Sequence, residues 1–272
     1  MRLTLWGTRG SLASAGPETV RYGGNTACVE VRGDDGTLIV LDAGSGIRRL
    51  ADPVGPSRRV DIFLTHLHMD HIQGLGFFGP LFQPDVEVHL WGPPARSDLA
   101  ARLGRYLSPP LFPVRVRDLR SVVFHDAPDR SVQIGGLAIV AAPVIHPGAT
   151  VGYRVSEGRR SLTYIPDHEP ALGVRHFPMS ARWTSGADLG RGVEVLVHDA
   201  QYTPDEYRHR VGWGHSTLGD AVALAQLVGA RSLVPFHHDP AHDDAGLDTI
   251  FNDVETQGLG LIPGREGLEL VV

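Results

Sequence analysis

The sequence predicts an α/β fold in which helices cover the outside of two β-sheets. Short apolar runs rich in β-branched residues recur along the chain between Gly, Asp and Pro turns, as β-strands do. Segments with helical spacing alternate with these runs, and 42% of the 272 residues are hydrophobic, which is ordinary for a globular protein. Because no fixed-period repeat or low-complexity linker interrupts the chain, we expect residues 1–272 to form one domain.

The first half of the chain contains most of the runs expected to form one sheet. Residues 60–65 form an apolar run that ends at His66, and a helix is expected to begin near Ile72. Residues 97–107 have helical spacing and begin with Ser97, a residue type that caps helix N-termini. The strands expected in this half are 2–6, 27–32, 37–44, 60–65 and 86–92.

The second half of the chain repeats this alternation of strands and helices. Helices are expected at 216–230, capped by Ser216, and at 243–258. Residues 168–192 contain two prolines and many small polar residues, which predicts a long loop or a lid that partly covers the site. The expected strands are 121–126, 131–144, 150–155, 160–167, 193–200 and 231–238.

Composition argues against several classes of protein. The single cysteine, Cys28, cannot form an internal disulfide or a cysteine-rich zinc module, and it is expected to be buried on a strand. All 25 basic residues are arginine, which excludes a Schiff-base lysine and a P-loop lysine. The net charge of −6 disfavours long nucleic acid as a substrate. No apolar stretch is long enough to span a membrane and the start of the chain does not resemble a signal peptide, so we expect a cytoplasmic protein.

Residues 66–71, with the sequence HLHMDH, concentrate four metal-ligating side chains. At the end of a strand His66 and His68 point to the same side, so both imidazoles can bind one ion. Asp70 and His71 follow where the chain turns into a helix, and they can face a second ion beside the first. This segment therefore predicts half of a two-metal site.

Three polar residues farther along the chain each follow an apolar strand. They are His146, Asp167 and His237. Side chains at strand ends converge on one edge of a sheet, where the HLHMDH segment is also expected. Together with that segment they complete a site for two metal ions, with room for a bridging water.

The motif HxHxDH, followed by separate His, Asp and His residues, resembles the metallo-β-lactamase superfamily. The resemblance extends over most of the chain and implies that superfamily's four-layer αββα sandwich. Since His238 directly follows His237, either of the two is a candidate for the last ligand. The resemblance implies seven metal ligands. His66, His68 and His146 would bind one ion, Asp70, His71 and His237 would bind the other, and Asp167 would bridge the two.

A second pair of motifs indicates a branch of this superfamily. Residues 195–203 (VLVHDAQYT) and 214–217 (GHST) are similar to the HEA and HST motifs of ribonuclease Z and related phosphodiesterases. In that branch a histidine held by an acidic residue lies beside the departing oxygen, and the matching residues here are His215 and Asp199. Such a pair can donate a proton near neutral pH. Alternatively, His198 and Asp199 form only a hydrogen-bonding scaffold, and His215 is a helix-cap neighbour packed in the core.

The resemblance implies that a metal-bridging hydroxide attacks a phosphodiester. Asp70 would orient or deprotonate the water, and His215 would protonate the leaving oxygen. Arg9 and Arg21 can pair with phosphate, although ordinary surface salt bridges are the simpler expectation for both.

The arm and basic surface by which ribonuclease Z reaches tRNA are not evident, and one cysteine cannot build the extra zinc site of the phosphoribosyl cyclic phosphodiesterases. We therefore expect a small phosphodiester substrate, cyclic or linear, and tRNA 3′-processing is disfavoured.

Two other functions are open on the sequence alone. The same metals can activate a carbonyl group, so a carboxyl ester, lactone or thioester hydrolase is one alternative. A non-catalytic, metal-dependent ligand sensor is the other, whereas the intact His68 argues against a di-iron oxygen reductase.

Zinc is the expected metal, and the imidazole and carboxylate donors also accept manganese or iron. A homodimer is compatible with the sequence, which identifies no interface.

Overall fold

Two seven-stranded sheets form the centre of the protein in the computed structural model, which describes residues 1–50, 58–119, 121–174 and 177–272. The strands are, in chain order, β1 (Arg2–Gly7), β2 (Cys28–Arg32), β3 (Leu38–Leu41), β4 (Arg59–Phe63), β5 (Glu87–Gly92), β6 (Val122–Asp126), β7 (Val132–Ile134), β8 (Leu137–Pro143), β9 (Val151–Glu157), β10 (Arg160–Ile165), β11 (Val195–Asp199), β12 (Ser232–Phe236), β13 (Gly260–Leu261) and β14 (Glu269–Val271).

Each sheet has an antiparallel half and a parallel half. The first sheet has the order β14-β1-β2-β3-β4-β5-β6, and its pairs from β3 to β6 are parallel. The second has the order β13-β12-β11-β10-β9-β8-β7, and its pairs from β10 to β13 are parallel. Parallel strands place their carboxyl ends at one edge of a sheet, so the residues that follow β4, β10, β11 and β12 can meet.

The helices are short, and several begin at residues other than those predicted. The first begins at Met69, three residues before the predicted start at Ile72. Asp98, not Ser97, caps the second helix by accepting a hydrogen bond from the Ala101 amide. The helices are α1 (Met69–Ile72), α2 (Leu99–Leu103), α3 (Ala187–Gly190), α4 (Pro204–Tyr207), α5 (Leu218–Val228) and α6 (Asp244–Asn252).

The other differences from the predicted elements also have local causes. Thr217, not Ser216, caps α5, because its hydroxyl and the Asp220 carboxylate form a capping box. The predicted strand 131–144 is a hairpin, since Gly135 adopts the left-handed conformation (φ 52°) between β7 and β8. The two- and three-residue strands β13 and β14 were not predicted, because they are too short to show a hydrophobic period.

Alternation of side chains along the strands separates three apolar layers. On β3, Ile39 and Leu41 pack between the two sheets, whereas Leu38 and Val40 face the helices outside the first sheet. The outer face of the second sheet packs in the same way against α5 and α6. The arrangement is therefore the predicted αββα sandwich, and Cys28 is fully buried on β2 as expected.

The segment 168–192 is less open than the predicted lid. Helix α3 lies within it, and Ala187 and Leu189 are buried, with Leu189 packed against Ile165 at the end of β10. Residues 175–176 lie outside the described residues. None of the helices in the described ranges has both the length and the apolar character needed to cross a bilayer.

Candidate metal site

The first ligand cluster lies at the carboxyl ends of β4 and β10. It consists of His66, His68, His146 and Asp167, with one donor atom from each residue within 4.8 Å of the others. His68 Nδ1 lies 3.2 Å from His146 Nε2, and Asp167 Oδ2 lies 3.6 Å from both His66 Nε2 and His146 Nε2. The structure therefore brings together three imidazoles and one carboxylate. These are the residues for which the resemblance implies binding of the first ion and, for Asp167, bridging of the two ions.

The second ligand cluster adjoins the first and consists of Asp70, His71 and His237. Asp70 Oδ2 lies 3.2 Å from His71 Nε2 and 3.1 Å from His237 Nε2. Asp167 Oδ1 lies 3.0 Å from His71 Nε2 and 3.2 Å from His237 Nε2. Because its other oxygen faces the first cluster, Asp167 lies between the two sets of imidazoles.

The donor atoms of both clusters fit divalent metal ions. His66 Nε2 is buried and has no hydrogen-bond partner among the described residues. A buried nitrogen without a partner costs free energy, and a metal ion that binds its lone pair would remove this cost. Burial raises the pKa of Asp167, but the neighbouring His237, His71 and His66 outweigh this and hold the pKa well below its usual value. Imidazole nitrogen and carboxylate oxygen are donors that zinc, manganese and iron accept.

The other ring nitrogen of each buried histidine is fixed by the protein. His71 Nδ1 lies 2.8 Å from Asp42 Oδ2, and His237 Nδ1 lies 2.9 Å from Gln201 Oε1. His146 Nδ1 donates to the Gly214 carbonyl oxygen at 2.8 Å. Such contacts fix the tautomer and the orientation of the ring, so each Nε2 is directed into the site.

Asp42 was missed by the sequence analysis, although it follows the apolar strand β3 as the predicted ligands follow theirs. It is fully buried and adopts a left-handed backbone conformation (φ 59°). Its carboxylate accepts hydrogen bonds from the Thr65 amide at 2.7 Å and from the Tyr164 hydroxyl at 3.0 Å, besides the contact with His71. Asp42 is thus a positioning residue that ties β3, β4 and β10 to one ligand.

We expect Asp42→Asn to weaken metal binding about 10- to 100-fold, because the amide presents a donor to groups that themselves donate. The measurement is the Kd for zinc by competition with a chromophoric chelator. Asp205→Asn is the matched control, because Asp205 is exposed and pairs only with Arg208 among the described residues. Unchanged zinc affinity in a folded Asp42→Asn protein would show that Asp42 does not position the ligand.

His215 lies beside both ligand clusters and is held by Asp199. Its Nδ1 lies 2.7 Å from Asp199 Oδ2 and 3.9 Å from Asp167 Oδ2, and its ring stacks on His237 with 4.9 Å between centroids. Burial lowers the pKa of His215, but the charge and hydrogen bond of Asp199 outweigh burial and raise the pKa to about 9. His198 lies behind this pair, with its Nε2 2.9 Å from His168 Nδ1, so it belongs to the supporting network.

The N-terminal segment also contacts the site, in a way that the sequence analysis did not predict. The Ser11 amide donates to Asp70 Oδ2 at 2.8 Å. Gly10 lies against the His237 ring, and a Cβ at this position would stand only 2.2 Å from His237 Nδ1. The Gly-Ser pair therefore lets the backbone approach a ligand of the second cluster closely.

The two arginines suggested as phosphate contacts have other partners. Arg9 is fully buried, and its guanidinium donates to the carbonyl oxygens of Gly23, Asp239 and His242. A contact between Arg9 and phosphate is therefore wrong, as is a surface salt bridge, because the side chain ties together backbone segments in the interior. Arg21 is exposed and forms the expected surface ion pair, 2.6 Å from Asp248.

The structure distinguishes the two adjacent candidates for the last ligand. His237 adopts a left-handed backbone conformation (φ 60°) and directs its Nε2 to Asp70 and Asp167. His238 points elsewhere and donates from Nε2 to the Gly264 carbonyl oxygen at 2.7 Å. Burial is the main reason that the pKa of His238 falls to about 3. Of the two, His237 is therefore the one that lies in the second cluster.

A cluster of histidines and aspartates at the edge of an αββα sandwich defines the class of this protein. The chain belongs to the beta-lactamase superfamily, because the family described as "Beta-lactamase superfamily domain" matches residues 37–238. A Ribonuclease Z of Myxococcus xanthus (strain DK1622) is 28% identical over 288 residues, which cover 89% of this chain and 88% of that protein. These matches confirm the resemblance found in the sequence, and they indicate a metal-dependent hydrolase.

Two solved structures share the fold along the whole chain. A diphosphatase from the PhnP family has a TM-score of 0.69 at 20% identity, covering 100% of this chain and 97% of that chain. Zn(2+)-bound PqqB from Methylobacterium extorquens has a TM-score of 0.70 at 17% identity, covering 100% of both chains. At these identities the likeness establishes the fold alone.

Proposed function

We propose that this chain is a binuclear metal-dependent phosphodiesterase that hydrolyses a small phosphodiester, cyclic or linear. The observation that carries the proposal is the His215–Asp199 pair beside the two ligand clusters, at 2.7 Å. Hydrolysis of an alkyl phosphodiester releases an alkoxide, which needs a proton. A thioester releases a thiolate, which needs no such acid, so the pair favours an oxygen leaving group, and the relative named Ribonuclease Z favours a phosphodiester over a lactone.

The two clusters described above supply the ligands for the metals. His66, His68 and His146 would hold one ion and Asp70, His71 and His237 the other, with Asp167 between them. Zinc is our choice of metal, given these donors. Two bound divalent ions supply a lowered pKa for coordinated water and neutralise charge on the phosphoryl oxygens.

Proton transfers in the proposed reaction fall to two side chains of this protein. Asp70, whose Oδ2 is held by the Ser11 amide, orients the attacking water and accepts its proton. As the water oxygen bonds to phosphorus, the P–O bond to the leaving group breaks, and His215 gives its proton to the departing oxygen. Asp199 keeps the His215 ring in place, since its carboxylate is itself fixed by the His168, Gln201 and Ser216 amides.

The relatives and the charge of the chain support the proposed substrate class. The relative named Ribonuclease Z favours chemistry at phosphorus. The net charge of −6 disfavours long nucleic acid, which is bound through clustered basic side chains. A small phosphodiester fits both considerations.

A substrate panel tests the proposal. We expect zinc-loaded protein to hydrolyse bis-p-nitrophenyl phosphate and 2′,3′-cyclic nucleotides faster than a simple lactone or thioester. Activity on lactones or thioesters alone would overturn it in favour of a carbonyl hydrolase. Tight binding of a phosphodiester without turnover would indicate a ligand sensor, and cleavage restricted to precursor tRNA would indicate a processing nuclease.

A further inference from the structure

Glu169 lies two residues after Asp167, beyond the carboxyl end of β10, and is almost completely buried, at 1% exposure. In the described part of the chain its carboxylate is held by three hydrogen-bond donors and not by a cation. A buried carboxylate without a cation costs free energy unless hydrogen bonds satisfy it. The role of Glu169 therefore depends on the segment that supplies those donors.

All three donors belong to the loop that runs from the end of α4 to the GHST segment, residues 207–214. Oε1 accepts hydrogen bonds from the Tyr207 hydroxyl and the Gly212 amide, both at 2.8 Å. Oε2 accepts one from the Gly214 amide, also at 2.8 Å. Gly212 and Gly214 both have left-handed backbone conformations (φ 86° and 90°), which permit this turn. The carboxylate thus fixes the backbone of residues 212–214.

This backbone in turn holds His146, a member of the first ligand cluster. The Gly214 carbonyl oxygen accepts from His146 Nδ1 at 2.8 Å, and a Cβ on Gly214 would stand only 2.4 Å from that nitrogen. On the other side, the Glu169 amide donates to the carbonyl oxygen of Ile145, the residue before His146, at 2.9 Å. Glu169 therefore acts on His146 both through its backbone and through the acceptor of its ring.

The same loop also places His215, which directly follows Gly214. The Gly214 carbonyl and the His215 amide belong to one rigid, planar peptide group. A movement of Gly214 away from His146 would therefore also move His215, whose Nδ1 lies 2.7 Å from Asp199 Oδ2. One peptide group thus links a proposed metal ligand to the proposed proton donor.

We propose that Glu169 is a positioning residue, whose carboxylate holds Gly214 so that its carbonyl orients His146 and the next residue, His215, faces the site. Glu169 acts through the loop, because its two oxygens are already occupied by the three donors. The part of the proposal that concerns His215 rests on the proposed function, whereas the part that concerns His146 is testable without turnover.

Nuclear magnetic resonance of the zinc-loaded protein tests the His146 part. In Glu169→Gln one oxygen becomes an NH2 group, so the Gly212 or the Gly214 amide faces a donor. We expect the ring Nδ1–H signal of His146 to shift or broaden. The Nδ1–H signal of His71, which Asp42 holds, should stay unchanged. Changes in both signals, or in neither, would overturn the proposal.

A second variant keeps the negative charge, so that the test does not depend on the folding of Glu169→Gln. Glu169→Asp shortens the side chain by about 1.5 Å, which takes the carboxylate out of hydrogen-bond distance of the Gly214 amide. We expect the same selective change of the His146 signal. An unchanged His146 signal in a folded Glu169→Asp protein would contradict the proposal as directly.

Zinc affinity gives a second readout without turnover, measured by competition with a chromophoric chelator. We expect Glu169→Gln to raise the Kd about tenfold or more, since contacts that orient a ligand contribute to metal affinity. Glu206→Gln is the matched control, because this carboxylate also accepts from a loop amide and a hydroxyl, those of Thr203, and does not contact residues 212–214 among the described residues. An equal loss of affinity in both variants would show general loosening of the loop and refute the positioning role.

The kinetic test addresses His215 and is made with saturating zinc. We expect Glu169→Gln to lower kcat for 2′,3′-cyclic AMP about 10- to 100-fold, and kcat for bis-p-nitrophenyl phosphate by a smaller factor, because only the first leaving group needs an acid. Full kcat on both substrates would overturn the His215 part. If the His146 signal changes as expected but the native protein hydrolyses neither substrate, the positioning of His146 stands and the phosphodiesterase function fails.

Discussion

Asp167→Asn is expected to remove bound metal and hydrolysis together. Asp167 contacts imidazoles of both clusters, with Oδ1 3.0 Å from His71 Nε2 and Oδ2 3.6 Å from His66 Nε2. The asparagine amide lacks the negative charge and keeps only one acceptor oxygen. One of the two clusters would therefore face the NH2 group of the amide instead of a carboxylate oxygen. We expect kcat/KM to fall at least about 10³-fold, which corresponds to about 4 kcal/mol of transition-state stabilisation.

Elemental analysis of the purified variant is the decisive measurement. The native protein should hold two divalent ions per chain, and the Asp167→Asn protein should hold fewer. Asp188→Asn is the control, because Asp188 is exposed and pairs only with Arg191 among the described residues. Circular dichroism establishes that the variant is folded. A folded variant that retains two ions and full activity would refute the bridging role of Asp167.

The members of the two clusters could be predicted from the sequence because each has a local signature. Four lie within HLHMDH, and His146, Asp167 and His237 each follow an apolar run that is recognisable as a strand. The position of such residues depends mainly on where the strand ends. Parallel strands that end at one edge then bring the side chains together, so local pattern and fold class were sufficient.

The supporting residues could not be predicted, because their roles arise from contacts between distant segments. Asp42 contacts His71 across 29 positions, and Ser11 contacts Asp70 across 59. No period or motif encodes such a pairing. The buried position of Arg9 has the same origin, since its partners Asp239 and His242 lie at the other end of the chain. Sequence pattern alone therefore made Arg9 look like a surface residue.

Helix starts were mispredicted for a smaller reason, which is competition between neighbouring cap residues. Ser97 and Asp98, like Ser216 and Thr217, are adjacent residues that both favour the N-cap. The choice depends on which residue turns its side chain to the free amides of the first turn. At α5 the partner Asp220 completes a capping box only with Thr217, which fixes the start.

His215→Ala is expected to lower hydrolysis in a way that depends on the leaving group. If His215 protonates the departing oxygen, its loss matters for an alkoxide, which is a poor leaving group, and little for p-nitrophenolate. We expect kcat for 2′,3′-cyclic AMP to fall about 10²- to 10⁴-fold, the usual contribution of a general acid. The kcat for bis-p-nitrophenyl phosphate should change less than about tenfold.

Metal content distinguishes a proton donor from a ligand, which matters because His215 also lies within 4.8 Å of Asp167 and His237. As a proton donor held by Asp199, His215 can be removed without loss of metal. His215→Gln fills the same space with a polar group and should behave as the alanine variant does, whereas the exposed His209→Ala should match the native protein. Equal losses on both substrates together with loss of an ion would make His215 a ligand. The case for phosphodiester cleavage would then lose the observation that supports it, because among the described histidines outside the two clusters only His215 is both held by a carboxylate and in contact with the clusters.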